Sequence, residues 1–164
     1  MSVLYALLAF IAVQRLAELL WAERNTRRLR ARGAVEAGAR HYPVIVALHA
    51  AWLVALAAFV PADAAANWPL LALFVALQAA RLWTVASLGE RWTTRVITLP
   101  AAPLVRRGPY RWVRHPNYLI VAAEIVVVPA IFGAWWIAAI FGLFNAAMLC
   151  HRIRVEERAL LARL

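Results

Sequence analysis

The 164-residue chain reads as an all-α integral membrane protein of about five transmembrane helices, the last two a tight helical hairpin. Three observations lead there. Hydrophobic residues make up 65% of the chain, charged residues 16%, and the mean hydropathy is +0.70. A soluble domain is typically about 45–50% apolar and about 25% charged, so too little polar surface is left to cover a globule of this size. The apolar residues gather in stretches close to the roughly 20 residues that cross a bilayer. All 18 basic residues are arginine, and they are sorted between alternate connecting segments. An ordinary cytosolic domain, a disordered chain and a secreted disulfide scaffold are excluded. The one cysteine, Cys150, forms neither an internal disulfide nor a Cys-only zinc site.

The first expected span is Ser2–Trp21, interrupted by Gln14, Arg15 and Glu18. It lacks a basic leading region and runs into arginines, so it is not a cleaved signal peptide. Pro43–Val60 is the second span and Trp68–Leu88, interrupted by Arg81, the third. The fourth apolar stretch, Tyr118–Cys150, is too long for one span and slightly short for two. Pro129 and Gly133 near its middle suit a chain reversal. It is therefore one long kinked helix or a hairpin of two short ones.

The arginines choose between these. Six lie in Ala22–Tyr42, six in Gly89–Asn117 and four in the tail, whereas the Pro61–Asn67 loop carries only Asp63. Positive residues stay cytoplasmic. The expected topology has the N-terminus outside, the Asp63 loop outside, and both basic connectors and the C-terminus inside. A hairpin keeps the tail inside, which gives five spans and leaves sixteen of the 18 arginines cytoplasmic. The net charge of +10 is then topology rather than a nucleic-acid surface, and no nucleic-acid-binding motif accompanies it. No repeat or linker divides residues 1–164: one domain, with three spans in 1–88, and a loop, a hairpin and a C-terminal helix in 89–164.

The chemistry concentrates in three places. The stretch from Arg106 to Tyr118 holds a Gly108-Pro109 turn, then His115 held extended before Pro116, which suits the first turn of a helix. Arg114, His115 and a helix N-terminus together make an anion site; equally, such a stretch anchors a loop at headgroup depth. In the tail, Arg152 and Glu156 share a helix face, and Glu157 points about 100° away. One acid would pair with Arg152 while the other turns to a ligand, or both belong to a solvated surface. Within the spans, Arg15 and Glu18 are three apart and form a structural pair, Arg81 snorkels, and Glu124 has no local partner. The histidines have no metal-ligand spacing, and no nucleophile elbow, P-loop or dinucleotide fingerprint occurs. No metal is expected.

Gly108-Pro-Tyr110, Arg114-His-Pro116, Tyr118, a hydrophobic hairpin, and then Arg152 with Glu156-Glu157 resemble the isoprenylcysteine carboxyl methyltransferase family. The resemblance spans roughly residues 88–161. The residues after Tyr118 are Leu119 and Ile120 where the family usually has glycine, and no aromatic-rich tail follows the two glutamates. It implies transfer of a methyl group from S-adenosylmethionine, leaving S-adenosylhomocysteine, at the cytoplasmic face of a bacterial inner membrane. The cofactor's carboxylate would meet Arg114, His115 and the Pro116 turn. Its ribose hydroxyls and amino group would meet Glu156 or Glu157, and its adenine Tyr110 or Tyr118, with Gly108 in the same binding loop. Arg152 would hold Glu156 or the acceptor, and His115 or Glu124 would serve a phenol or enol acceptor as base. The acceptor implied is a lipophilic small molecule, a carboxylate or a phenolic or pyrone lipid, entering from the bilayer between the third span and the hairpin. The rival readings are an NADPH-dependent lipid reductase of related fold and a non-enzymatic membrane protein.

Overall fold

The computed structural model describes residues 2–100 and 102–161. Arg163, counted above among the tail arginines, lies outside the described residues. Five α-helices carry the fold: α1 (Val3–Ala31), α2 (Tyr42–Phe59), α3 (Trp68–Leu88), α4 (Pro116–Ile131) and α5 (Trp135–Leu161). All but α4 are long and apolar enough to cross a membrane. Large apolar side chains point outward along them: Val13, Leu20, Val54, Phe59, Val75, Leu82 and Leu143 are each more than half exposed. Such a surface is unstable in water and fits lipid.

Helix α1 starts at Ser2, whose hydroxyl accepts from the Tyr5 amide, and runs about ten residues past the expected span. The basic connector was expected to begin at Ala22, but Ala22–Ala31 is helical. The cause is packing: Ala22, Asn25, Thr26 and Leu29 are buried, and Asn25 Nδ2 donates to the carbonyls of Gly89 (3.2 Å) and Trp92 (2.9 Å). Pro43 and Pro69 open α2 and α3, where a missing N–H costs nothing. Asn67 caps α3 by accepting from the Leu70 amide, and its own N–H donates to the Ile131 carbonyl, tying the α2–α3 loop to the far end of α4.

The hairpin expected at Pro129–Gly133 is present, with unequal arms. Pro129 sits in the last turn of α4, and its carbonyl accepts from Phe132 and Ala134. Gly133, at φ 69°, turns the chain into α5. Helix α4 has 16 residues, about 24 Å, while α5 has 27, about 40 Å. The expected C-terminal helix is the continuation of α5, which projects beyond the start of α4 and carries Arg152, Glu156 and Glu157 alongside the preceding loop. The half of the bundle away from the arginine-rich connectors is an apolar core of Leu4, Ile11, Trp52, Leu56, Phe74, Ile125, Val128 and Ile137.

The basic connectors are partly ordered by a two-stranded antiparallel clip, β1 (Val35–Ala37) with β2 (Val96–Thr98), pairing Glu36 opposite Ile97. Glu36 lies between Arg30 and Arg95 (2.8 Å to Arg95). Burial pushes the Glu36 carboxyl pKa up, but the two guanidiniums outweigh it and hold the group below its usual value. The rest of the second connector is tied to α3: Arg107 Nε donates to the Ser87 carbonyl (2.6 Å), and Gly108 at φ 57° presses against the Ser87 side chain.

Gly108 therefore has two reasons to be glycine, and Gly33, at φ 85° with open space around it, has one. Gly33→Ala should cost about 1 kcal/mol, and Gly108→Ala about 2–3 kcal/mol, because it adds a clash with Ser87 to the backbone strain. Thermal unfolding of the detergent-solubilised protein should show the larger drop in Tm for Gly108→Ala.

Candidate active site

A cavity of about 930 Å³ opens at the arginine-rich end of the bundle. Its roof is the 91–118 loop and the start of α4, one wall is the end of α5, and its deeper part lies between α1, α2 and α5. Of the residues singled out from the sequence, Tyr110, Arg114, His115, Tyr118, Arg152, Glu156 and Glu157 line it together. Gly108, Pro116 and Glu124 do not line it. Gly108 packs on Ser87, Pro116 is buried and starts α4, and Glu124 sits deeper in the bundle.

Tyr118 is the hinge of the site. Its hydroxyl donates to Glu156 Oε2 (2.5 Å) and accepts from Arg152 Nε (2.8 Å). Arg152, only 7% exposed, also donates from Nη2 to the Thr94 carbonyl (2.6 Å), which locks α5 to the loop. The expected Arg152–Glu156 pair is thus relayed through the Tyr118 hydroxyl. The reason is the α4–α5 packing, which brings Tyr118 to the same spot. The faces of the Tyr118 ring are also taken: His115 stacks on it at 5.2 Å and 15°, and the Arg152 guanidinium lies 5.5 Å from its centroid. This leaves Tyr110 as the less encumbered aromatic of the wall. Burial, reinforced by the Glu156 carboxylate, pushes the Tyr110 hydroxyl pKa up, so it remains a neutral donor.

His115 Nδ1 lies 3.7 Å from Glu156 and its Nε2 4.0 Å from Glu157. Glu157, 3.9 Å from the exposed Arg114, faces the His115 side rather than turning away. Two buried polar atoms here have no hydrogen-bond partner among the described residues: His115 Nε2 and Asn117 Oδ1. Buried polar atoms are normally satisfied, and because His115 and Asn117 line the cavity both atoms are available to a polar group placed in it. Asn117 lines the cavity but was not singled out from the sequence, although it lies within the Arg-His-Pro-Asn-Tyr motif. Tyr42, Thr94 and Arg95 were also missed: Tyr42 and Thr94 share a hydrogen bond (3.0 Å), and Arg95 covers the Tyr42 ring at 4.3 Å. They come from connectors with no local motif.

Below this layer, the intramembrane charges form one network. Arg81 binds Glu18 with two nitrogens (2.6 and 2.5 Å), and Arg15 reaches both Glu18 (3.2 Å) and Glu124. Glu124 also accepts from Gln78 Nε2 (2.7 Å) and lies 3.4 Å from Arg81 Nη1. One sequence expectation is corrected here. Arg81 does not snorkel: it is 4% exposed and held by carboxylates on α1 and α4. Glu124, which has no local partner in the sequence, receives two guanidiniums from α1 and α3. The route expected between α3 and the hairpin is closed by direct α3–α4 packing, and the apolar side of the cavity is formed by Leu16, Leu19, Val46 and Leu53 of α1 and α2.

Removing one partner of a buried ion pair costs about 3–5 kcal/mol, because the other charge is left uncompensated. Glu124→Gln should destabilise the detergent-solubilised protein by that order. Glu23→Gln, which breaks an exposed pair with Arg27, should cost under about 0.5 kcal/mol. Chemical denaturation of the two variants checks the contrast.

No solved structure matches the chain. The chain is 37% identical over 160 residues, 95% of each protein, to the uncharacterized protein YpbQ of Bacillus subtilis (strain 168). It is 26% identical over 144 residues to an uncharacterized protein of Haemophilus influenzae (strain ATCC 51907 / DSM 11121 / KW20 / Rd), covering 84% of this chain and 83% of that one. Residues 70–162, which hold most of α3, the site loop and the hairpin, match the model of one family of membrane methyltransferases. The chain belongs to the isoprenylcysteine carboxyl methyltransferase family.

Proposed function

We propose that the protein transfers a methyl group from S-adenosylmethionine to an oxygen of a lipophilic acceptor, with the arginine-rich end facing the cytoplasm. The observation that carries this reading is one cavity shared by two kinds of wall. One end gathers His115, Asn117, Tyr118, Arg152 and Glu156, and the other opens between the apolar flanks of α1 and α2. A polar cofactor and a lipid tail therefore reach a common space from opposite sides.

The residues present fit the cofactor. The orphaned Nε2 of His115 and Oδ1 of Asn117 offer one donor or acceptor and one acceptor, and Glu156 and Glu157 offer carboxylates to ribose hydroxyls and an ammonium. Arg114, mostly exposed at the mouth, is free to swing onto a carboxylate. Tyr110 presents an aromatic face. When bound, S-adenosylmethionine supplies an activated methyl group on a sulfonium. The protein's part is alignment and exclusion of water: Arg152 fixes α5 against the loop and Tyr118 fixes it against α4, so the two halves of the cavity keep their separation. Glu124, outside the wall and bonded to Arg15, Arg81 and Gln78, acts by holding the floor in place rather than as a base. The acceptor is a long-chain lipid presenting a phenolic or pyrone hydroxyl or a carboxylate, and it enters between α1 and α2.

Calorimetry on purified protein tests the reading. S-Adenosylhomocysteine should bind. His115→Ala and Glu156→Ala should each weaken it about 10- to 100-fold, the cost of one hydrogen bond to a charged group. Arg27→Ala, on the exposed face of α1, should leave it unchanged. Binding of NADPH without S-adenosylhomocysteine would overturn the assignment in favour of a reductase.

A further inference from the structure

Below the site, each helix contributes a polar residue at one depth. Tyr42 and Arg152 both bond to Thr94, so they mark a common level on α2 and α5. His49 lies seven residues beyond Tyr42 and Asn145 seven before Arg152, so both sit about 10 Å deeper. Arg81, eight residues before Gly89, and Glu124, eight after Pro116, lie about 12 Å in from the same end. Arg15 and Glu18 meet them there from α1.

The four charged members neutralise one another. His49 and Asn145 do not take part. Nδ1 of His49 bonds to the Ile45 carbonyl (2.9 Å). A carbonyl only accepts, so the proton of the neutral ring is on Nδ1, and Nε2 carries a lone pair. Among the described residues Nε2 has no partner, and His49 lines the cavity. Asn145 is 2% exposed, also lines the cavity, and its side-chain amide has no hydrogen-bond partner among the described residues. A buried amide normally finds a partner. Helices α2 and α5 pack against each other, and an imidazole acceptor on one and an amide on the other line the same cavity.

We infer that His49 is the general base for a hydroxyl acceptor and that Asn145 holds the acceptor's oxygen-bearing ring beside it. The inference rests on the methyltransferase reading above. The acceptor's O–H bond breaks, and its proton passes to His49 Nε2. The oxygen forms the new bond to the methyl carbon, and the methyl–sulfur bond breaks with its electron pair staying on sulfur, which becomes a neutral thioether. The imidazolium returns the proton to water through the open mouth of the cavity. Arg15, Arg81, Glu18 and Glu124 face this layer from α1, α3 and α4, and α5 adds only Asn145.

The test compares three acceptors in detergent: 5-pentadecylresorcinol, a long-chain alkyl tetrafluorophenol already ionised at neutral pH, and palmitic acid. His49→Gln should slow transfer to the resorcinol about 100-fold or more, the usual share of a general base. It should leave S-adenosylhomocysteine affinity within twofold and keep the rate on the tetrafluorophenol within a few-fold of wild type. Its residual rate on the resorcinol should climb with pH as the hydroxyl ionises unaided. Asn145→Leu should raise KM for the resorcinol about tenfold with a smaller effect on kcat. Equal loss on resorcinol and tetrafluorophenol would make His49 structural and overturn the inference, as would a His49→Gln rate within threefold of wild type. A wild type that binds S-adenosylhomocysteine yet methylates only palmitic acid overturns the base and leaves the methyltransferase. A wild type that does not bind S-adenosylhomocysteine overturns the reading beneath it.

Discussion

Arg15, Glu18, Arg81 and Glu124 meet inside the bundle, and none of them could rest at that depth alone. A charge in hydrocarbon is costly enough that a helix bearing one must either keep it near an interface or find it a partner. Here α1 carries one charge of each sign, α3 a guanidinium and α4 a carboxylate, and Gln78 donates to the Glu124 oxygen that the arginines leave free. Rotating any of the three helices by a fraction of a turn would strand a charge in lipid. The network therefore sets rotation and depth for α1, α3 and α4 together. It also divides the bundle into an apolar core on one side and a cavity on the other.

The site above that floor is assembled from parts that would be floppy alone. The loop between α3 and α4 is long and rich in arginine, and it is fixed at a few points. Arg107 bonds to the end of α3, Arg91 Nη1 to the Pro103 carbonyl, and Arg152 reaches across from α5 to Thr94. Several arginines that topology would place at this end on charge grounds thus do structural work by hydrogen bonding, a use that suits the planar guanidinium better than an ammonium. Tyr118 joins the two arms of the hairpin through one hydroxyl that both donates and accepts, and Arg152 carries the link on to the loop.

Much of this was legible in the sequence, and what was not has identifiable causes. The α3 bounds, the start of α4 at Pro116 and the reversal after Pro129 follow from apolar run length and proline chemistry, which act locally. The ten extra residues of α1 did not, because Asn25 is held by carbonyls more than 60 positions away. The β1–β2 clip, three residues a strand, is too short for any alternation to register. Arg114, His115, Tyr118, Arg152 and Glu156 were found through a motif. Asn117 stood within that motif unremarked. His49 and Asn145 were visible only as lone polar residues in apolar runs, and their meaning depends on which helices become neighbours. Arg81 was misread because one span seen alone offers only the interface as an escape, whereas the fold offers Glu18 and Glu124.

The shortness of α4 has a further consequence. A hydrocarbon layer about 30 Å thick overhangs a helix that rises only about 24 Å. Beside α4 the bilayer must thin, or the Arg106–His115 loop must be drawn beneath the level of the headgroups; the cost is a fraction of a kcal/mol per Å of mismatch. Either adjustment produces a dimple in the leaflet beside α4. Polar headgroups and water then stand closer to the charged floor than elsewhere around the protein. The hairpin's unequal arms therefore shape the membrane beside α4 as well as the protein.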